Sequence, residues 1–199
     1  MSFSDNCVVV VEEVDDQNWK VRQSFSYTGE RDTFTVEIGQ ETDFASVPRV
    51  FVWLLPRYGR YTKAAILHDH LWRDLAAKGQ MDYIDADGMF RRAMRELQVP
   101  FLKRWIMWAA VRWGALAKPS GRRRWLREAP RVLLVTLFAL PFVLPAAAVI
   151  LASLLAFTIF EGIVWVPLKL SEIVKLRFAK KPPAQVKQVN APAFEWRAG

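Results

Sequence analysis

The chain holds two histidines, His68 and His70, and they flank Asp69 in the string Leu67-His68-Asp69-His70-Leu71-Trp72. On a helix, residues two apart point roughly 200° apart, so these imidazoles cannot share a metal from one turn, and a zinc site built on the pair is set aside. Metal phosphohydrolases with a His-Asp doublet need a further upstream histidine, which this sequence lacks. What remains is one His backed by carboxylates. Asp87 lies on the next predicted helix, and the short connection from Lys78 to Tyr83 would fold that helix back antiparallel on the first. A carboxylate reaching His68 across such a hairpin would fix its tautomer and stabilise the imidazolium formed when it takes a proton from water, as a general base requires. Asp69 points elsewhere and could offer oxygen to a hard cation such as Ca²⁺, with Asp43 or loop carbonyls beside it. Ser46 as a nucleophile has no Gly-x-Ser-x-Gly around it. A structural reading stands beside each of these. His68 and Asp69 could be a satisfied helix pair, and Asp43 with Ser46 could cap or turn the loop that Pro48 ends.

The elements that must position these groups follow from periodicity. From Val8 to Ile38 the chain reads as an antiparallel β-meander: Trp19, Val21, Gln23, Phe25 and Tyr27 alternate with polar residues, and Phe34, Val36 and Ile38 repeat the pattern after Thr28-Gly29-Glu30. Gly39 to Pro56, containing Thr42-Asp43-Phe44-Ala45-Ser46-Val47-Pro48, has no regular period and is expected to be a loop. Helices are expected from Tyr61 to Ala77, from about Ile84 to Leu97 and from Phe101 to Ala115. On the second, Asp87, Phe90, Arg91 and Met94 share one side. The third carries Trp105, Ile106, Trp108 and Trp113 among Lys103, Arg104 and Arg112, which suits either a core helix or one lying among lipid headgroups.

The strings Thr42 to Pro48, Tyr61-Thr62-Lys63-Ala64-Ala65-Ile66-Leu67-His68-Asp69 and Ala86-Asp87-Gly88-Met89-Phe90 resemble the family of short phage and bacterial proteins called domain of unknown function 1353, over roughly residues 8–115. That resemblance implies a phage or prophage origin and no established activity. A second, looser one is to the small sn-2-cleaving phospholipases A, which carry His-Asp-x-x-Tyr on one helix and Asp-x-x-Phe on an antiparallel partner. It implies His68 as base, Asp87 as its partner, Asp69 as a calcium ligand and Phe90 in the second motif. Trp72 stands where that family has tyrosine, so a hydrogen bond to the partner carboxylate would come from an indole N–H. The glycine-rich calcium loop is replaced by the Asp43 to Pro48 segment, and the family's disulfides cannot form.

Beyond this domain the composition changes. The first 98 residues hold 12 Lys and Arg against 16 Asp and Glu, whereas the remaining 101 hold 16 against 4, so the net +8 sits in the second half. Between Val132 and Phe160 lie 29 residues without a charge, about 44 Å as a helix against a hydrocarbon core of about 30 Å. That is too long for one upright crossing. Arginines 122–124, 127 and 131 precede the run, and Lys169, Lys175, Arg177, Lys180 and Lys181 follow it. Positive charge at both ends favours a cytoplasm-facing hairpin over residues 132–168, its first helix kinked by Pro141 and Pro145, with a single kinked crossing near 132–154 and the rest along the interface as the other arrangement. Cys7 is the only cysteine, so no intrachain disulfide can form, and the first residues carry no secretory-signal pattern.

The expected architecture is therefore α+β: an N-terminal antiparallel β-meander, a helical hairpin and a third helix, then a membrane-inserted helical hairpin. Residues 1–118 form the soluble domain, 119–131 a basic linker, 132–168 the inserted segment, and 169–199 a basic, largely disordered tail. The expected place is a bacterial inner membrane, with the N-terminal domain in the cytoplasm and anionic lipid as the partner of the basic flanks. Nucleic acid ranks last, because the charges bracket an apolar run rather than form a patch with aromatics. Two functions compete: a membrane-tethered, phospholipase-like hydrolase using His68 and Asp87, and a non-catalytic phage or prophage membrane protein acting on membrane-protein partners in lysis or superinfection exclusion.

Overall fold

The computed structural model describes residues 2–4, 8–44, 47, 51–122 and 124–178. Ser46, Cys7 and the tail beyond residue 178 lie outside the described residues.

Six short strands make two antiparallel sheets: β1 (Ser2–Phe3), β4 (Phe25–Thr28) and β5 (Thr33–Val36) in the order β1-β4-β5, and β2 (Val11–Glu13), β3 (Trp19–Val21) and β6 (Glu41–Thr42) in the order β2-β3-β6. The alternating run from Trp19 to Tyr27 is thus two strands in different sheets, parted by a bend at Arg22 and Gln23. Its inward set holds where the strands hold: Val21, Phe25, Tyr27 and Val36 are buried. Ile38 does not extend that face. It is exposed, because β5 ends at Val36 and the chain turns through Gly39 at φ 89°, a left-handed conformation that favours glycine. The stretch expected to be loop contains β6, whose pairing of Thr42 with Trp19 fixes the approach to the candidate site.

The helical hairpin is present. Helix α1 (Thr62–His70) buries Ala64, Ala65, Ile66 and Leu67, four consecutive residues, so it is walled in on nearly every side. It continues through a π-helical turn, Leu71–Ala76, and the chain reverses at Gly79, φ 74°. Helix α2 (Tyr83–Glu96) buries Ala86, Asp87, Met89, Phe90, Ala93 and Met94, a 3.6-residue stripe facing the core. It ends with Gln98 in the left-handed region and the Val99 N–H returned to the Met94 carbonyl at 3.0 Å, and Pro100 then sets the start of α3 (Phe101–Ala115).

Of the two settings open to α3, the structure has the core helix: Met107, Trp108, Ala109, Arg112 and Ala115 are buried. Helix α4 (Trp125–Phe178) begins inside the basic stretch 119–131 and runs for 54 residues, about 81 Å, long and apolar enough to cross a membrane. The hairpin expected over 132–168 is therefore replaced by one helix. No glycine interrupts the charge-free run, and Pro141 and Pro145, four residues apart, stand on one face of the helix without ending it. A small cluster of Trp108, Ala109 and Val132, with Trp105, Trp125 and Val135 around it, fastens the start of α4 to α3.

Candidate active site

His68 lies near the C-terminal end of α1 and Asp87 in the second turn of α2, and the hairpin brings His68 Nε2 to 2.7 Å from Asp87 Oδ1. Trp72, one helical turn after His68, donates its indole N–H to the same oxygen at 2.8 Å. The tyrosine-to-tryptophan departure noted in the sequence thus leaves the carboxylate with a donor. The Phe90 ring lies 4.8 Å from the imidazole, centroid to centroid, at 36°, and Tyr83 packs edge-on against Trp72 at 4.5 Å. Asp87 is fully buried, whereas the His68 side chain keeps 13% of its surface. With Asp87 as an acceptor-only carboxylate, His68 donates through Nε2–H and its lone pair is on Nδ1. That is the tautomer a base toward water needs.

Arg112 completes the arrangement. From α3 its Nη1 donates to Asp87 Oδ2 at 2.7 Å, with both side chains at 0% exposure. In the sequence Arg112 stands out only as one of the charges interspersed on that helix. A signal was present: Arg112 follows Trp108 by four residues and precedes Ala115 by three, so it shares the buried face, where a charge requires a partner. The Arg112 carbonyl accepts the indole N–H of Trp125 at 2.7 Å, which ties the first residue of α4 to this network.

Asp69 faces away from Asp87, as the helical spacing requires. Its Oδ2 accepts the Thr42 hydroxyl at 2.6 Å, and Thr42 Oγ1 accepts the Phe44 N–H at 3.0 Å, closing a tight turn in which Phe44 takes φ 59°. Burial, reinforced by the negative charge of Asp43, pushes the Asp69 carboxyl up to about 7. Asp43 pairs with Arg73 Nη2 at 3.1 Å. Ca²⁺ takes six to eight oxygen ligands. Among the described residues no group of three or more His, Cys, Asp or Glu side chains is placed to hold a metal. Asp43 and Asp69 supply two carboxylates, each with an oxygen already engaged.

His70 belongs to a different surface. Its Nδ1 lies 3.2 Å from Asp74 Oδ2, and Gln40 donates to the same oxygen. With Glu41, Arg73, Leu75 and Lys78 these residues line a shallow depression of about 500 Å³.

Residues 19–111 match the model of the family described as Protein of unknown function (DUF1353). Over that segment the chain is similar to DUF1353. The DUF1353 segment runs from β3 into α3 and contains His68, Trp72, Asp87 and, at its edge, the helix that supplies Arg112. Helix α4 lies beyond it. No curated protein and no solved structure matches the chain.

Proposed function

We propose that the DUF1353 segment of this chain is a phospholipase-like hydrolase, held at an inner-membrane surface by α4 with its N-terminal domain on the cytoplasmic side. The observation that supports this reading is the 2.7 Å contact from His68 Nε2 to Asp87 Oδ1 on an imidazole that remains partly open to solvent. In the proposed reaction His68 Nδ1 takes a proton from water as the water oxygen attacks the carbonyl carbon of a lipid ester. Asp87 holds the Nε2–H and stabilises the imidazolium. The tetrahedral intermediate then collapses, the ester C–O bond breaks, and the imidazolium returns its proton to the leaving alkoxide, leaving a fatty acid and a lysolipid. No step runs through calcium. The apolar helix gives the reading its substrate class, since anchoring beside lipid raises effective concentration without any new contact.

The test is fatty-acid release from mixed phospholipid micelles by the full chain, with calcium or with chelator, beside His68→Ala and Asp87→Asn. Loss of a general base costs about 10²–10⁴-fold, so His68→Ala should fall by at least 100-fold while keeping its helical circular dichroism. Equal rates in wild type and variants, or no rate in any, overturns the reading.

One observation favours a second reading, a non-catalytic membrane protein acting on protein partners, whether in lysis or in exclusion of other phages. Asp87 accepts from His68, Trp72 and Arg112 together, an arrangement that also serves as a polar joint among α1, α2 and α3. On that reading His68→Ala alters stability and no hydrolytic rate.

A further inference from the structure

Five arginines gather where α2, α3 and the start of α4 meet. Arg91 lies with its guanidinium carbon 4.3 Å from the centre of the Trp105 ring, and Trp105 meets Trp108 edge-on at 5.4 Å. Trp108 packs in turn on Val132, the residue after Arg131. Arg104, beside Trp105 in the chain, stands 5.7 Å over the ring of Phe101, which is itself 68% exposed. Arg95 pairs with Glu96 and Arg131 with Glu128, but Arg91, Arg92 and Arg104 have no carboxylate partner among the described residues. The Nε–H groups of Arg91 and Arg92 are buried without an acceptor. Burial and then the like charges of Arg92, Arg104, Arg131 and Arg95 lower the Arg91 pKa.

Like charges held this close repel, and unsatisfied buried donors cost free energy, so the arrangement is matched to an anion that several guanidinium groups can fork onto. Its location selects the source. Arg131 immediately precedes the charge-free run of α4, and the Trp108–Val132 contact fixes the cluster at that level. Were α4 to enter the bilayer at Val132, these guanidinium groups would sit at headgroup depth, with the exposed Phe101 ring beside them to dip into the boundary. We propose that Arg91, Arg92, Arg104 and Arg131 form a binding site for the phosphate of an anionic phospholipid headgroup. The proposal rests on the membrane placement of α4 and is separate from His68, so it stands or falls apart from the ester assay.

The test uses the full chain in neutral detergent micelles doped with equal phosphatidylglycerol and phosphatidylcholine, with bound lipid read by native mass spectrometry. Wild type should retain phosphatidylglycerol over phosphatidylcholine by about tenfold, the equivalent of one charge-assisted contact, and Arg91→Gln/Arg104→Gln should abolish the preference. Arg22→Gln, in the bend after β3 and outside the cluster, should keep it. Arg131→Gln, at an exposed position that does not endanger folding, should reduce it on its own. Arg91→Lys/Arg104→Lys should retain part of it, through charge without the fork. An equal preference in wild type and in both glutamine variants overturns the proposal. So does displacement of phosphatidylglycerol by inorganic phosphate at comparable concentration, which would make this a free-phosphate site. A single-stranded oligonucleotide bound through the same arginines, with no lipid preference, would assign the cluster to nucleic acid instead. Release of the wild-type chain from vesicles by alkaline carbonate would remove the membrane placement and this site with it, whatever the hydrolytic rate.

Discussion

Arg112 and Asp87 form an ion pair closed to solvent on both sides, Nη1 to Oδ2 at 2.7 Å. Two of the remaining Arg112 donors, Nε and Nη2, have no partner among the described residues. The pair therefore secures the geometry at His68 while leaving part of its own desolvation uncompensated.

Removing one partner should cost more than removing both. Asp87→Leu strands a buried guanidinium and should destabilise the chain by roughly 3–5 kcal/mol, whereas Asp87→Leu/Arg112→Met should recover most of that loss. Urea unfolding of the detergent-solubilised full chain, followed by circular dichroism, gives both numbers. A double variant no more stable than the single would contradict a buried-charge penalty at this position.

Trp72 should act through Asp87. Trp72→Phe keeps the ring packing on Tyr83 but deletes one of the two N–H donors at Oδ1, and should lower stability by about 1–2 kcal/mol. On the hydrolytic reading it should also move the pH–rate profile, because the carboxylate that supports the imidazolium has lost a donor. An unchanged profile with the same stability loss would leave Trp72 a packing residue alone.

Asp69 sets a pH dependence of opposite sign to the usual carboxylate. Its folded-state value, about 7, lies above its ordinary 3.8, so the folded chain binds that proton more tightly than the unfolded chain. The stabilisation is full below pH 3.8, declines as pH rises, and is gone above about 7. Asp69→Asn should flatten that decline and stabilise the chain at pH 8 by up to about 4 kcal/mol. Unfolding midpoints at pH 5 and pH 8 test it: a wild type equally stable at both would refute the shift.

Gly121 governs how α4 leaves the domain. A Cβ there would fall 2.4 Å from the Ala115 carbonyl oxygen, a backbone atom that cannot swing aside. Gly121→Ala should therefore loosen the docking of α4 on α3, at a cost of about 1–3 kcal/mol, and should raise proteolytic cleavage in the 116–124 connection. Wild-type resistance to cleavage in the variant would show that the connection accommodates the methyl group.

The sequence by itself determined the helical hairpin and the juxtaposition of His68 with Asp87. The helical spacing of Asp87, Phe90, Arg91 and Met94 marked α2, and the short Lys78 to Tyr83 connection dictated that it return along α1. Those two local facts place Asp87 opposite His68. They also separate Asp69 from Asp87, because neighbouring helical residues point apart. The length of the charge-free run likewise needed no structure to mark α4 as a helix able to cross a membrane.

What tertiary structure alone decided is the partnering of distant side chains. Period-two alternation cannot say that Val21 and Phe25 belong to different sheets, since both keep the same inward parity through the bend between them. Nor does it show β6, two residues long and defined only by its pairing with β3. Length and flanking charges do not decide between the hairpin and the single span, because both concern the fit to a bilayer, whereas a helix breaks where its own backbone bonding fails. Arg112 is 25 residues from Asp87 in sequence. An arginine on a tryptophan-rich helix fits a lipid surface as well as a core, and only the packing of α3 against α2 closes the buried pair that holds Asp87, and through it His68, in place.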